Sequence, residues 1–325
     1  MDILKKLTQT YGPSGRESDI KELIENIARP FADEVYTDAL GNLIVRKKGQ
    51  GKKIMVAAHM DEIGVVATLI DDNGFIRFSS VGGIYNKDLL GRRVCFKNGV
   101  IGVIGSEEEN KDRKILKMYI DIGAKDKETC EKLISIGDMA VFCGDFYENN
   151  DTIISKALDN RSGCYVLLKT LEKINSKNDI YFVFTTQEEV GLRGARTSSF
   201  SISPDYALAI DVTDTGDTPD GIKMATKLSG GAAIKIMDRS ILCDSFIRSK
   251  LAELASKNDI PYQLEVMNYG GTDAGAISLS GAGVKTGGIS IPTRYIHSPS
   301  EMINKKDLDS VISLLSVFLE ENYDK

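Results

Sequence analysis

The sequence predicts an α/β fold: a mainly parallel sheet sandwiched by helices, with a small antiparallel β-barrel-like domain inserted into it. Three observations carry that expectation. Strand and helix signals alternate after about residue 157, as they do where crossover helices join parallel strands. Between about 66 and 156, short strand signals follow one another closely with a single helical stretch among them, the pattern of a small barrel. The run Ile54–Ala58 is continuously apolar and flanked by lysines, which suits a strand buried on both faces of a sheet. The expected division is therefore a first part of the α/β domain at 1–65, an insert at 66–156 and the second part of the α/β domain at 157–325.

Taken in order, residues 1–48 read as helix, turn, helix and hairpin. The GPSG at 12–15 breaks the first helix, and Ser14 with Glu17 resembles a capping box opening the second, which Pro30 ends. Glu34 to Val45 reads as two short strands around Leu40-Gly41-Asn42. In the insert, VVATLI and FIRFSSV flank the turn Asp71–Gly74, and RRVCFK and VIGVIG flank Asn98-Gly99, a strong hairpin signal. KMYIDIG, a helical stretch near 127–133, MAVFCG and DTIISKAL complete it. Beyond it come a helix at about 160–174, the strands DIYFVFTT and YALAID, and a helix at about 240–256. The strands PYQLEVM and VKTGGISI and a closing helix from 307 to 321 finish the chain.

Composition bounds the function. Of 325 residues, 42% are hydrophobic and 27% charged, enough apolar material for a sizeable core and too much for a disordered chain. Lys plus Arg is 41 against 47 Asp plus Glu, a net charge of −6, which argues against a broad nucleic-acid or anionic-membrane footprint. No apolar run approaches the roughly 18 residues of a membrane span; the best, 54–70, is broken by His59, Asp61 and Glu62. The N-terminal segment is too polar for a signal-peptide core. Five cysteines with no C-x-x-C pair read as reduced thiols in a cytoplasmic protein.

Ligands in open α/β sheets bind beyond the carboxyl ends of the strands. At those positions stand His59 and Asp61 after KKIMVAA, Glu188-Glu189 after DIYFVFTTQ, Asp211 in YALAID and His297 after VKTGGISI. Asp159 stands where a strand leaving the insert meets a helix. The chain has only two histidines, and both are in this set. Singly, each residue has a simpler reading: a buried structural histidine, a helix cap at Asp159, a solvated pair at 188–189, a polar loop opened by Asp211. Jointly, the acids would repel and be costly to desolvate unless cations lay among them. Imidazole plus carboxylate suits zinc, cobalt or manganese, and two such ions need a bridging carboxylate and roughly two more ligands each. The i, i+2 spacing lets Asp61 support His59, and adjacent Glu188 and Glu189 point different ways, so one can ligate while the other serves as a general base. The glycine-rich 270–275 segment reads either as a close approach to substrate or as a tight turn before a helix capped by Thr272 or Asp273.

At these residues the sequence resembles the deblocking or glutamyl aminopeptidases that assemble into tetrahedral (TET) particles, co-catalytic metallopeptidases of clan MH, some of them labelled cellulase M or endoglucanase M. The matching segments are GPSGRE, AAHMDEIG, KALDNRSG, TTQEEVGLRGA, AIDVT, GGTDAGAI and PTRYIHSPSEM, in order from residue 12 to 302. The resemblance implies two divalent metal ions per subunit, zinc foremost with cobalt or manganese as alternatives. One falls on His59, Asp159 and Asp211, the other on Asp159, Glu189 and His297, with Asp159 shared. It also implies Glu188 as general base in hydrolysing the first peptide bond and Asp61 behind His59; Gly271, Thr272, Asp273 and Arg294, which lie within the matching motifs, are expected near substrate. The implied partners are short peptides with free N-termini and further copies of the chain, the insert contributing to dimers that build a dodecamer. Neither nucleic acid nor membrane is expected. Competing readings are an N-acyl amino-acid deacylase or dipeptidase of the same clan, an endoglucanase, and an inactive metal-dependent scaffold or peptide binder.

Overall fold

The computed structural model describes residues 1–108 and 111–323. The chain opens with α1 (Asp2–Gln9), α2 (Ser18–Ala28), β1 (Glu34–Thr37), β2 (Leu43–Lys47) and β3 (Lys53–His59). The insert follows with β4 (Gly64–Ile70), β5 (Ile76–Val81), β6 (Arg93–Phe96), β7 (Ile101–Ser106), β8 (Met118–Asp121), α3 (Lys127–Glu131) and β9 (Met139–Phe142). The return is β10 (Tyr147–Glu148), β11 (Thr152–Ser155), α4 (Leu158–Lys173), β12 (Asp179–Thr185), α5 (Arg193–Ile202), β13 (Tyr206–Thr213) and β14 (Ala232–Met237). The chain closes with α6 (Ser245–Lys257), β15 (Tyr262–Val266), α7 (Asp273–Ser278), β16 (Lys285–Arg294), β17 (Glu301–Asn304) and α8 (Lys305–Glu320).

Among the described residues, β4 to β9 close into an antiparallel barrel and the other eleven strands form one sheet. The centre of that sheet, β12-β3-β13-β16, is parallel, with antiparallel pairs toward its margins. The residues of β3 show why its apolar run is unbroken. Ile54, Val56 and Ala58 join a core with α1, α2, α4 and α8, whereas Met55 and Ala57 join one with α5 and α7. A strand covered by helices on both faces has no side left for polar residues. The barrel has its own core of Val65, Phe78, Val94, Ile104 and Ile120 among others.

Three local expectations change. DTIISKAL reads as part of the insert, but its strand β11 pairs with β17 in the large sheet. The capping box does not form: Ser14 donates to the Asp61 carboxylate at 2.6 Å, and Glu17 Oε1 accepts from the backbone N–H of Gly15 at 2.6 Å and of Gln187 at 3.1 Å. Ser14 is thus engaged by the segment after β3, and Glu17 by the turn at Gly15 and by the segment after β12, rather than by the helix that follows. β14 was not foreseen, because its apolar run is interrupted by Lys235. That ammonium is buried against Glu265 of β15 and lies 3.5 Å from Asp238. All five cysteines are unpaired, and no described helix is long and apolar enough to cross a membrane.

Candidate metal centre

The site forms where the parallel strands end. The β12–β3 register sets Thr185 beside His59, so the turn after β12 delivers Glu188 and Glu189 to one side of His59. On the other side, β13 pairs with β3 through Ala209↔Ala57, which carries Asp211 alongside. The segment after β16 supplies His297 and the start of α4 supplies Asp159.

Asp159 is the junction. Its Oδ1 lies 3.0 Å from His59 Nε2 and its Oδ2 lies 3.2 Å from His297 Nε2. Each imidazole has a second carboxylate nearby: Asp211 Oδ1 lies 3.7 Å from His59 Nε2, and Glu189 Oε1 lies 3.2 Å from His297 Nε2. Glu188 Oε2 stands 3.9 Å from His59 Nε2 and lines the cavity. Candidate donor atoms of His59, Asp159 and Glu189 all lie within 4.8 Å of one another.

Supports around this ring fix its aim. His59 Nδ1 donates to the backbone carbonyl of Asp61 at 3.1 Å, which turns Nε2 toward the carboxylates. The Asp61 carboxylate does a second job: it accepts from the backbone N–H of Glu188 at 3.0 Å and of Glu189 at 3.2 Å, holding the turn that carries both acids. The barrel closes one side through the loop after β5. A Cβ on Gly83 would come 3.1 Å from His297 Nδ1, and one on Gly82, whose φ is +83°, 3.1 Å from the Glu189 side chain. Larger residues there would displace the His297 and Glu189 side chains.

The electrostatics describe a site short of positive charge. Burial alone would lower the His59 pKa, yet Glu188, Asp159, Asp61 and Asp211 outweigh it and hold the imidazole well above its usual range. At His297, burial is likewise overcome by Glu189 and Asp159, which push it up to about 12. Burial, with neighbouring acids adding to it and His59 opposing, drives Glu188 and Asp211 well above ordinary carboxyl values. Asp159 is held low, because the two imidazoles outweigh its own burial. Among the described residues, no Lys or Arg lines the cavity to balance its acids. A buried cluster of carboxylates with imidazole nitrogens and no ammonium or guanidinium has the donor chemistry of a zinc, cobalt or manganese site, so these residues fit divalent cations.

Of the four residues expected near substrate, Gly271 lines the cavity and the others do not. Thr272 is buried, the Asp273 carboxylate accepts from Thr185 Oγ1 at 2.5 Å, and Arg294 pairs with Asp217 at 2.7 Å. Sequence reasoning missed Glu301. Buried at the start of β17, it accepts from the backbone N–H of Asp159 and of His297, each at 2.9 Å. One carboxylate thus ties together the backbones of two ring residues, one of them, His297, in the left-handed region at φ 61°. Its only signal was an acid four residues after His297. Glu301→Gln can accept only one of these N–H bonds, and should weaken metal retention roughly 10–100-fold, measured as metal content after dialysis against graded chelator.

Strand ends that gather imidazoles and carboxylates, on a sheet interrupted by a barrel, define the chain as an α/β protein with a candidate metal centre. The family model described as M42 glutamyl aminopeptidase matches residues 41–314, and the chain belongs to that family. It is 54% identical over 318 residues to a relative from Acetivibrio thermocellus, covering 97% of this chain and 96% of that one. Its structure matches an aminopeptidase from Desulfurococcus kamchatkensis at a TM-score of 0.95 and 43% identity, covering 98% of this chain and 94% of that one. It also matches the Pyrococcus horikoshii TET1 peptidase, described as assembling into a tetrahedron or a large octahedral shell, at a TM-score of 0.88 and 35% identity. Those chains are covered to 98% here and 99% there.

Proposed function

We propose that the protein is an aminopeptidase using two divalent metal ions to remove N-terminal residues from peptides. The observation that carries this reading is Asp159, whose two oxygens each face a different histidine. His59, Asp159 and Asp211 would hold one ion, and Asp159, Glu189 and His297 the other. When bound, such ions supply Lewis acidity toward the scissile carbonyl and lower the pKa of a water at the site.

The chain's own groups account for the proton movements. Glu188, on the cavity side of the ring, takes the proton as water attacks the carbonyl and returns it to the departing amine. Asp61 keeps Glu188 in register through the backbone bond described above. Leu192, Val212 and Met267 give the cavity an apolar wall for the peptide, and Gly271 brings backbone close to it. We further propose that copies of the chain assemble through surfaces that include the barrel, as the TET1 assembly suggests, and that the free thiols suit a reducing cytoplasm.

The test is turnover of aminoacyl-anilides by protein stripped with a chelator and reloaded with zinc, cobalt or manganese. Stripping should abolish turnover and reloading should restore it. Turnover that persists in chelator would overturn the reading. Equal or better turnover of N-acylated substrates would favour a deacylase, and chelator-insensitive cleavage of a β-glucan would favour a glycosidase.

A further inference from the structure

Beside the ring lies a cavity of about 380 Å³ that shares Tyr85, Asp214, Ile296 and His297 with a second of about 540 Å³. Away from the candidate ligands, the inner cavity is walled by Leu192, Val212, Met267 and Ile296 and by Tyr85 and Tyr269. Among the described residues lining it, Asp214 is the one charged group that belongs neither to the proposed ligands nor to the base. Its Oδ2 accepts from the Tyr269 hydroxyl at 2.8 Å, while its Oδ1 accepts no hydrogen bond from the described residues. Among the described residues, no Lys or Arg lines this cavity.

A half-buried carboxylate with one neutral hydrogen bond and an unpartnered oxygen, set in an apolar wall, is a half-built ion pair. The shape it completes is amphipathic: an aliphatic stem along Leu192, Met267 and Ile296, and a cationic tip against Asp214. The geometry points to Asp214 as the residue that selects a basic side chain, lysine or arginine, at the substrate's N-terminus. This rests on the aminopeptidase reading above and deepens it. A leucyl or methionyl side chain would fill the apolar wall but cover the carboxylate without pairing it. A glutamyl side chain, which the family's description would suggest, would set carboxylate against carboxylate.

The test compares kcat/KM for lysyl, arginyl, norleucyl and glutamyl p-nitroanilides with the metal-loaded protein. Norleucine keeps the lysine stem and lacks the ammonium, and anilides carry no second residue, so the ratio reads the tip of the first side chain alone. Lysyl turnover should exceed norleucyl by roughly 10–100-fold, the worth of a hydrogen bond to a charged group, with glutamyl the poorest. In Asp214→Asn the lysyl-to-norleucyl ratio should collapse toward about 1. A wild-type ratio near unity, or a glutamyl preference, overturns the proposal whether or not the variant folds. A variant that loses both substrates in equal proportion also overturns it, because that is the signature of binding the α-amino group or of a structural role. Absence of turnover with all four substrates would sink the aminopeptidase reading itself, and this inference with it.

Discussion

Glu188→Gln should lower kcat by roughly 10²–10⁴-fold, the range assigned to a positioned general base, while metal content stays at the wild-type level. The two readouts separate because the proposed ligands of both ions are supplied by residues other than Glu188. Its carboxylate is 3.9 Å from His59, whereas Asp159 and Glu189 approach the imidazoles at 3.0 and 3.2 Å. Glutamine preserves the shape and the backbone bond from Glu188 N–H to Asp61 but cannot take up a proton. KM should change much less than kcat, since the lost interaction belongs to the transition state. Near-normal kcat, or metal lost along with activity, would remove Glu188 from the role of base. Steady-state kinetics on an aminoacyl-anilide, paired with elemental analysis of the same preparation, decides it.

Asp159→Asn should be the more damaging change. A carboxylate whose two oxygens face different imidazoles becomes an amide with one acceptor and one donor, so one of its two faces turns a hydrogen atom toward the place where a cation would sit. Loss of an outer partner of a metal ligand costs roughly 10–100-fold in affinity, and loss of a shared ligand should exceed that and affect both positions. Because an ion that binds only the folded state raises its stability with concentration, the wild-type Tm should climb on metal addition. The climb should largely vanish in Asp159→Asn. A variant that still takes up two ions per chain and still shows the full Tm response would exclude the shared-carboxylate arrangement. The same titration on Glu301→Gln should give an intermediate response, because Glu301 reaches the ring only through the backbones of Asp159 and His297.

Much of the fold was legible because its signals are local. The continuous apolar run of β3 announced burial on both faces, and Asn98-Gly99 announced a hairpin that pairs β6 with β7. The elements that escaped have local chemistry answering to distant partners. Lys235 broke the pattern of β14, and its compensating acid, Glu265, lies thirty residues on. Ser14 and Glu17 carried the letters of a capping box, but their partners are Asp61 and Gln187, 47 and 170 positions away. Asp273 and Arg294 were singled out for motif position. Thr185 and Asp217 satisfy them instead, 88 and 77 positions away.

By itself, the sequence determined an α/β architecture with an inserted barrel, and it determined which residue types stand at the ends of the sheet strands. Both follow from periodicity and from the cost of burying polar groups, which act over a few neighbouring residues. The tertiary structure alone decided how closely Asp159 approaches each imidazole, that Asp61 holds the backbone of the paired glutamates, that Glu301 ties two ring residues together, and that Asp214 faces the cavity with the Tyr269 hydroxyl on one oxygen. Those relations depend on strand register and on contacts between segments distant in the chain, most of them a hundred residues apart or more. Distance and orientation across such a separation are set by packing of the whole core, which no local pattern encodes.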